Sequence, residues 1–310
     1  MRIRAVNLRH VGGLIVVGAA CLFVADKIIS TQIWTLAETN GRTILVAVLV
    51  GAAAYGLSGF LLSAAWLRIL RWCGQDKASM KLCFCIYART QIAKYIPGNI
   101  FHFIGRHAMG RRFGFGHTPM VSAAVLEGIG LILAASLLAL VGALVWLEPR
   151  SGLAPAKFAA LGAILLLVPY ALVYGLPRLA RARRMEVEAR RPRDTVTELI
   201  PAYLLQISFF LLSGCILWGL ALVVGDVSLS ALAPTVTAVA AAWVAGFLMP
   251  GAAAGIGVRE AVLIAALSGT LGEREATLIA VAYRAVTLSG DLFFFALSFP
   301  LILPTRRARM

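Results

Sequence analysis

Two short stretches of the chain join a helix breaker to ionisable side chains in apolar surroundings. The first reads Gln91-Ile92-Ala93-Lys94-Tyr95-Ile96-Pro97-Gly98-Asn99 and runs on through His102, Gly105 and Arg106. Pro97 has no N–H to donate and interrupts a helix. Gly98 permits unusual backbone angles, and Asn99 is a residue type that caps a new helix start. His102 and Arg106 are then i and i+4 on one helix face, with Lys94 just before the break. Cations and hydrogen-bond donors gathered at one helix end suit a phosphate group. The plainer reading is a Pro-Gly turn whose Lys94 and Arg106 reach for a polar interface, with His102 a neutral hydrogen-bonded core residue. The cost of intramembrane charge favours a functional cluster.

The second stretch reads Pro250-Gly251-Ala-Ala-Ala-Gly255-Ile256-Gly257-Val258-Arg259-Glu260. Its glycines free a short piece of backbone before a helix that should begin near Val258. Glu260 in the first turn is favoured by the helix dipole, whereas Arg259 is not and needs an anion or carboxylate partner. Gly255-x-Gly257 is not a dinucleotide fingerprint, because no strand precedes it. Gly251 and Gly255 also fit the small-xxx-small pattern of close helix packing. Three further charges stand in apolar runs: Glu127, and Arg284 and Asp291, which lie seven residues apart on one helix face. Each costs about 2.5–3.5 kcal/mol at mid-bilayer, so pairing is expected. Glu127 with Arg259 or Arg284 is the natural assignment, serving either transport or helix register.

The elements that must hold these groups follow from composition. Of 310 residues 60% are apolar and 14% charged, and the net charge is +15; soluble domains sit near ~45–50% apolar and ~25% charged. Lipid is the implied solvent. The Lys and Arg residues cluster in short segments between apolar runs, the positive-inside pattern, so the basic balance implies anionic lipid and excludes nucleic acid as a partner. The five cysteines show no CxxC or zinc spacing. No cofactor, no nucleotide motif and no metal site are expected.

Six full crossings are expected, at about 11–30, 43–67, 118–147, 157–176, 199–224 and 277–303, each near the ~20 residues a bilayer needs. The N-terminal run resembles a signal peptide but lacks a clean cleavage site and reads as the first span. Basic residues fall at the N-terminus, in 68–81, in the loop 177–198 and in the tail. Both termini are therefore expected in the cytoplasm of a bacterium, with the chain in its inner membrane. Two segments do not fit as simple crossings. Residues 82–105, broken at Pro97-Gly98, have basic residues at both ends and should enter and turn back. Residues 229–271, broken at Pro250-Gly251, should do the same from the opposite face. The expected fold is all-α and polytopic, with two oppositely oriented re-entrant hairpins in an inverted repeat within one domain. Broken helices at corresponding places are the pointer to a transport site, since freed backbone groups are tolerated only in protein or a wet cavity.

On Lys94-Tyr-Ile-Pro-Gly-Asn99 with His102, Gly105 and Arg106, on Pro250-Gly…Gly-Ile-Gly-Val-Arg-Glu260, and on Arg284…Asp291, the chain resembles the transmembrane region of lysylphosphatidylglycerol synthases. This flippase-like family also occurs without the synthase domain. The likeness covers about residues 10–303. It implies two inverted halves and translocation of an anionic lipid or a polyprenyl-phosphate-linked sugar, and a membrane glycosyltransferase as a possible partner class. One departure is the run Ala252–Ala254, where the family often carries a Gly pair. Nothing in the 310 residues resembles the aminoacyltransferase domain, so lysyl transfer is not expected. A flippase should show a membrane-depth cavity lined by Lys94, His102, Arg106, Arg259 and Glu260. A membrane-embedded transferase on a polyprenyl donor would instead need a general base and usually a metal. A scaffold for such an enzyme would use the 177–198 loop.

Overall fold

The computed structural model describes residues 17–96, 98, 100–151, 192–225 and 227–301. Among them the chain is helical throughout, without strands. Helix α1 occupies residues 17–30. It is followed by α2 (Ile33–Trp72), α3 (Met80–Gln91), α4 (Phe101–Arg112), α5 (His117–Ser151), α6 (Pro192–Val224), α7 (Leu232–Leu248), α8 (Val258–Leu271) and α9 (Glu273–Ala296). Short 3-10 turns at Ile92–Tyr95, Leu229–Ala231 and Ala253–Gly255 join them. Six of the described helices are long and apolar enough to cross a membrane: Gly41–Trp72, His117–Ala143, Val196–Val224, Leu229–Leu248, Ala253–Leu271 and Glu273–Ala296. The protein is a helical, multi-pass membrane protein.

These six are not the expected six. The crossings at 43–67, 118–147 and 199–224 have their counterparts. The last one runs Glu273–Ala296 rather than 277–303, because Gly272 at φ 90° starts it early and the chain turns at 297–300. The expected span 157–176 and most of the loop 177–198 lie outside the described residues, and the span at 11–30 is described only from residue 17. The remaining two come from the segment 229–271. Each of its arms, taken with its 3-10 turn, is long and apolar enough to cross. The arms of the first broken segment are not. Helices α3 and α4 have 12 residues each, about 18 Å of rise against a ~30 Å hydrocarbon core.

Helix α2, 40 residues long, is the axis on which α6 and α9 pack. Small residues allow the close approach. A Cβ on Gly56 would lie 2.7 Å from the Gly290 carbonyl oxygen, and one on Gly290 would lie 2.8 Å from that of Ala52. Both obstacles are backbone, so neither can swing away. Phe294 of α9 meanwhile fills the groove over Gly59 and meets Phe60, Phe84 and Tyr87 edge-on. Such backbone-to-backbone contact is how helices associate in lipid, where no hydrophobic force separates helix from tail. Gly290→Ala should therefore cost about 1–3 kcal/mol by overpacking, read as a lowered thermal midpoint of the detergent-solubilised protein. An unchanged midpoint would show that the crossing gives way.

The two broken segments meet. The 3-10 turn Ile92–Tyr95 packs on the 3-10 turn Ala253–Gly255 and on α9. The charged residues singled out by the sequence stand around this junction.

Candidate functional site

The first break is built from backbone restrictions. Helix α3 starts at Ser79, whose Oγ accepts from the Leu82 N–H at 3.4 Å, and tightens into the 3-10 turn at Ile92. Ile96 is extended (φ −75°, ψ 131°), as a residue before proline must be, and Gly98 takes φ 117°. Pro97 and Asn99, the expected cap, themselves lie outside the described residues. The N-cap of α4 is Ile100, which makes no side-chain cap bond. His102 and Arg106 fall on one face of α4, and both are buried.

At the second break the chain reverses through Gly251 (φ 86°), Ala254 (φ 49°), Gly255 (φ 73°) and Gly257 (φ 81°). Helix α8 begins at Val258, as its sequence indicates, and Glu260 caps it, its Oε2 accepting the Gly257 N–H at 2.6 Å. Ala254 holds a left-handed backbone that costs an L-residue about 1–2 kcal/mol, in the run where the resembling family often has glycine. Its carbonyl accepts from Arg284 Nη1 at 3.4 Å. Ala254→Gly should relieve that strain, and even after the greater entropy of unfolded glycine it should raise the thermal midpoint slightly. A lowered midpoint would contradict the strain.

Four cations and three carboxylates surround the junction. Lys94 Nζ lies 2.7 Å from Asp291 Oδ2, and the Tyr95 hydroxyl donates to the same oxygen at 2.5 Å. Arg106 donates to both oxygens of Glu127, which also accepts from the Tyr87 hydroxyl at 2.7 Å. Arg284 Nε lies 3.4 Å from Glu260 Oε1. The expected pairing of Glu127 with Arg259 or Arg284 is thus overturned. Arg106 reaches Glu127 first, because α4 lies against α5, and Arg284 faces the α8 start instead. Arg284 and Asp291 do share a face of α9, and Tyr95 spans them: its ring lies 5.7 Å from the Arg284 guanidinium while its hydroxyl holds Asp291.

Arg259 is the cation left over. Among the described residues no carboxylate lies in ion-pair range of it, and its Nε is buried without a hydrogen-bond partner. Its guanidinium carbon lies 5.9 Å from the Trp243 ring centre. Gly246 and Gly255 make the slot for its stem, since a Cβ on either would come within 2.6 Å of it. The guanidinium borders two cavities. One has a volume of about 40 Å³, room for a few waters, and is lined by Lys94, His102, Arg106 and Arg259. The other, about 30 Å³, is lined by Arg259, Glu260, Arg284, Ser213, Tyr283 and Thr287. Tyr55, Phe209, Trp243 and Arg259 line both.

Four of the five residues expected to line one cavity do so, and Glu260 lines the adjoining one. Glu127 and Asp291 each pair with one of these cations, and Asp291 borders a smaller cleft beside Tyr55 and Tyr87. Tyr55, Tyr87 and Trp243 are not singled out by the sequence; Tyr87 lies ten residues before Pro97, Trp243 seven before Pro250, and Tyr55 beside Gly56. No cluster of three or more metal-ligating side chains occurs among the described residues. No family model and no curated protein matches the chain.

Proposed function

We propose that this protein moves a lipid-anchored anion across the bilayer, with Arg259 as its central contact. The observation that carries this is an unpaired guanidinium, at the junction of two helix breaks, bordering two cavities in a polytopic membrane protein. An uncompensated cation at such a place is expensive, and such groups mark ligand and ion pathways. Each carboxylate nearby already holds a cation, which favours anion binding over acid–base catalysis. The proposal includes the finer architecture: two broken segments entering from opposite faces as an inverted pair, the termini in the cytoplasm, and a bacterial inner membrane. The short arms of α3 and α4 and the basic residues flanking them support it, as does the resemblance to the lysylphosphatidylglycerol synthase transmembrane region. An anionic phospholipid or a polyprenyl-phosphate-linked sugar is the substrate class, with a membrane glycosyltransferase as the enzyme it would serve.

Reconstitution tests this. Liposomes holding the protein receive a fluorescent anionic lipid or, separately, a short polyprenyl-phosphate sugar, and outer-leaflet quenching reports movement. Protein-dependent movement of either is the expected result. No movement of either by folded protein would overturn the proposal.

A further inference from the structure

Around the two cavities Lys94, Arg106, Arg259 and Arg284 face Glu127, Glu260 and Asp291, and three ion pairs cancel. One positive charge remains. His102 adds none: its Nδ1 is buried without a partner, and among the described residues no carboxylate pairs with it. We infer that the ligand of this site is a singly charged phosphodiester, and that anions carrying two charges, diphosphates above all, are selected against. The inference rests on the translocation reading above.

The reason is electrostatic. Net charge in a low-dielectric interior is costly, and each uncompensated unit adds to the cost. One negative charge brings the cluster to neutrality, whereas a diphosphate diester would overshoot it by one. The geometry agrees with a diester. Arg259 has a small cavity on either side, the two directions in which the ester arms of a phosphoryl group bound there would leave. The side holding Ser213 and Tyr283 offers hydroxyls to a polar head group. A cationic head group there would meet Arg259 and Arg284, while Glu260 is already engaged by Arg284 and the Gly257 N–H. Glycerophospholipids and polyprenyl phosphoryl sugars both present this chemistry.

The test is a tryptophan-fluorescence titration of the full-length protein in non-ionic detergent. The probes are dioleoylphosphatidylglycerol, farnesyl phosphoryl hexose and farnesyl diphosphoryl hexose. The farnesyl phosphodiester should bind about tenfold or more tighter than its chain-matched diphosphate, and its rank against the glycerolipid identifies the source. Asp291→Asn raises the residual charge by one and should shift preference toward the diphosphate. Lys94→Gln combined with Asp291→Asn lowers it again and should restore the original order, which a merely structural role for the pair would not do. A diphosphate that binds the unaltered protein as tightly as the phosphodiester overturns the inference and leaves translocation standing. If no probe binds, the translocation reading falls and this inference falls with it.

Discussion

Replacing Glu127 by leucine should unfold this protein more readily than any other single change at the site, by about 3–5 kcal/mol. The Arg106–Glu127 pair is the most enclosed of those around the junction, with side-chain exposures of 3% and 2%. Arg106 lies 4.0 Å from the Tyr87 ring centre and 5.0 Å from that of Phe103. Losing Glu127 strands that buried guanidinium between two rings, without its carboxylate. Removing both charges is a different matter, because a buried pair repays its desolvation poorly and apolar replacements of similar volume are often neutral. Arg106→Met with Glu127→Leu should therefore recover most of the lost stability. The measurement is the thermal midpoint of each variant in one detergent. A single variant as stable as the parent would mean that water reaches Arg106, and an unrescued double variant would mean that Glu127 matters through Tyr87 rather than Arg106.

This pairing also marks where the sequence stops being legible. Local rules place the breaks well. Pro97 fixes the preceding residue Ile96, positive φ falls on the glycines of the second break, and Glu260 caps the helix that begins at Val258. Helical spacing puts His102 and Arg106 on one face, and Arg284 and Asp291 on another. The partners are a different kind of fact. Arg106 meets Glu127 because α4 folds back along α5, and Tyr55 reaches the cavity because glycines let α2 and α9 approach to backbone distance. Neither follows from spacing along the chain. Span counting reaches its limit for a related reason. Length and apolarity identify helices able to cross, and the arms of 229–271 satisfy both although a Pro-Gly break between them reads as a turn-back.

Arg259→Gln should weaken binding of an anionic lipid by about 2–5 kcal/mol, the range for truncating one partner of a buried charged contact, or roughly thirtyfold to several thousandfold. Arg259→Lys should fall between. It keeps the charge but loses the planar donor fork and the guanidinium's cation–π contact with Trp243. The accompanying stability change separates a ligand contact from a structural one. A structural arginine satisfies groups in the free protein, so its loss destabilises. The Arg259 Nε is orphaned, no carboxylate among the described residues neutralises the guanidinium, and Gly246 and Gly255 leave the room that it occupies. Removing such a charge from the free protein should raise the thermal midpoint or leave it unchanged while binding collapses. Opposite signs in the two measurements are what a site held ready for an anion requires, because the protein carries an unfavourable charge that only the ligand offsets. A variant that loses stability and binding together would place Arg259 in the scaffold, and the centre of the proposed site would have to move to Lys94 and Arg284.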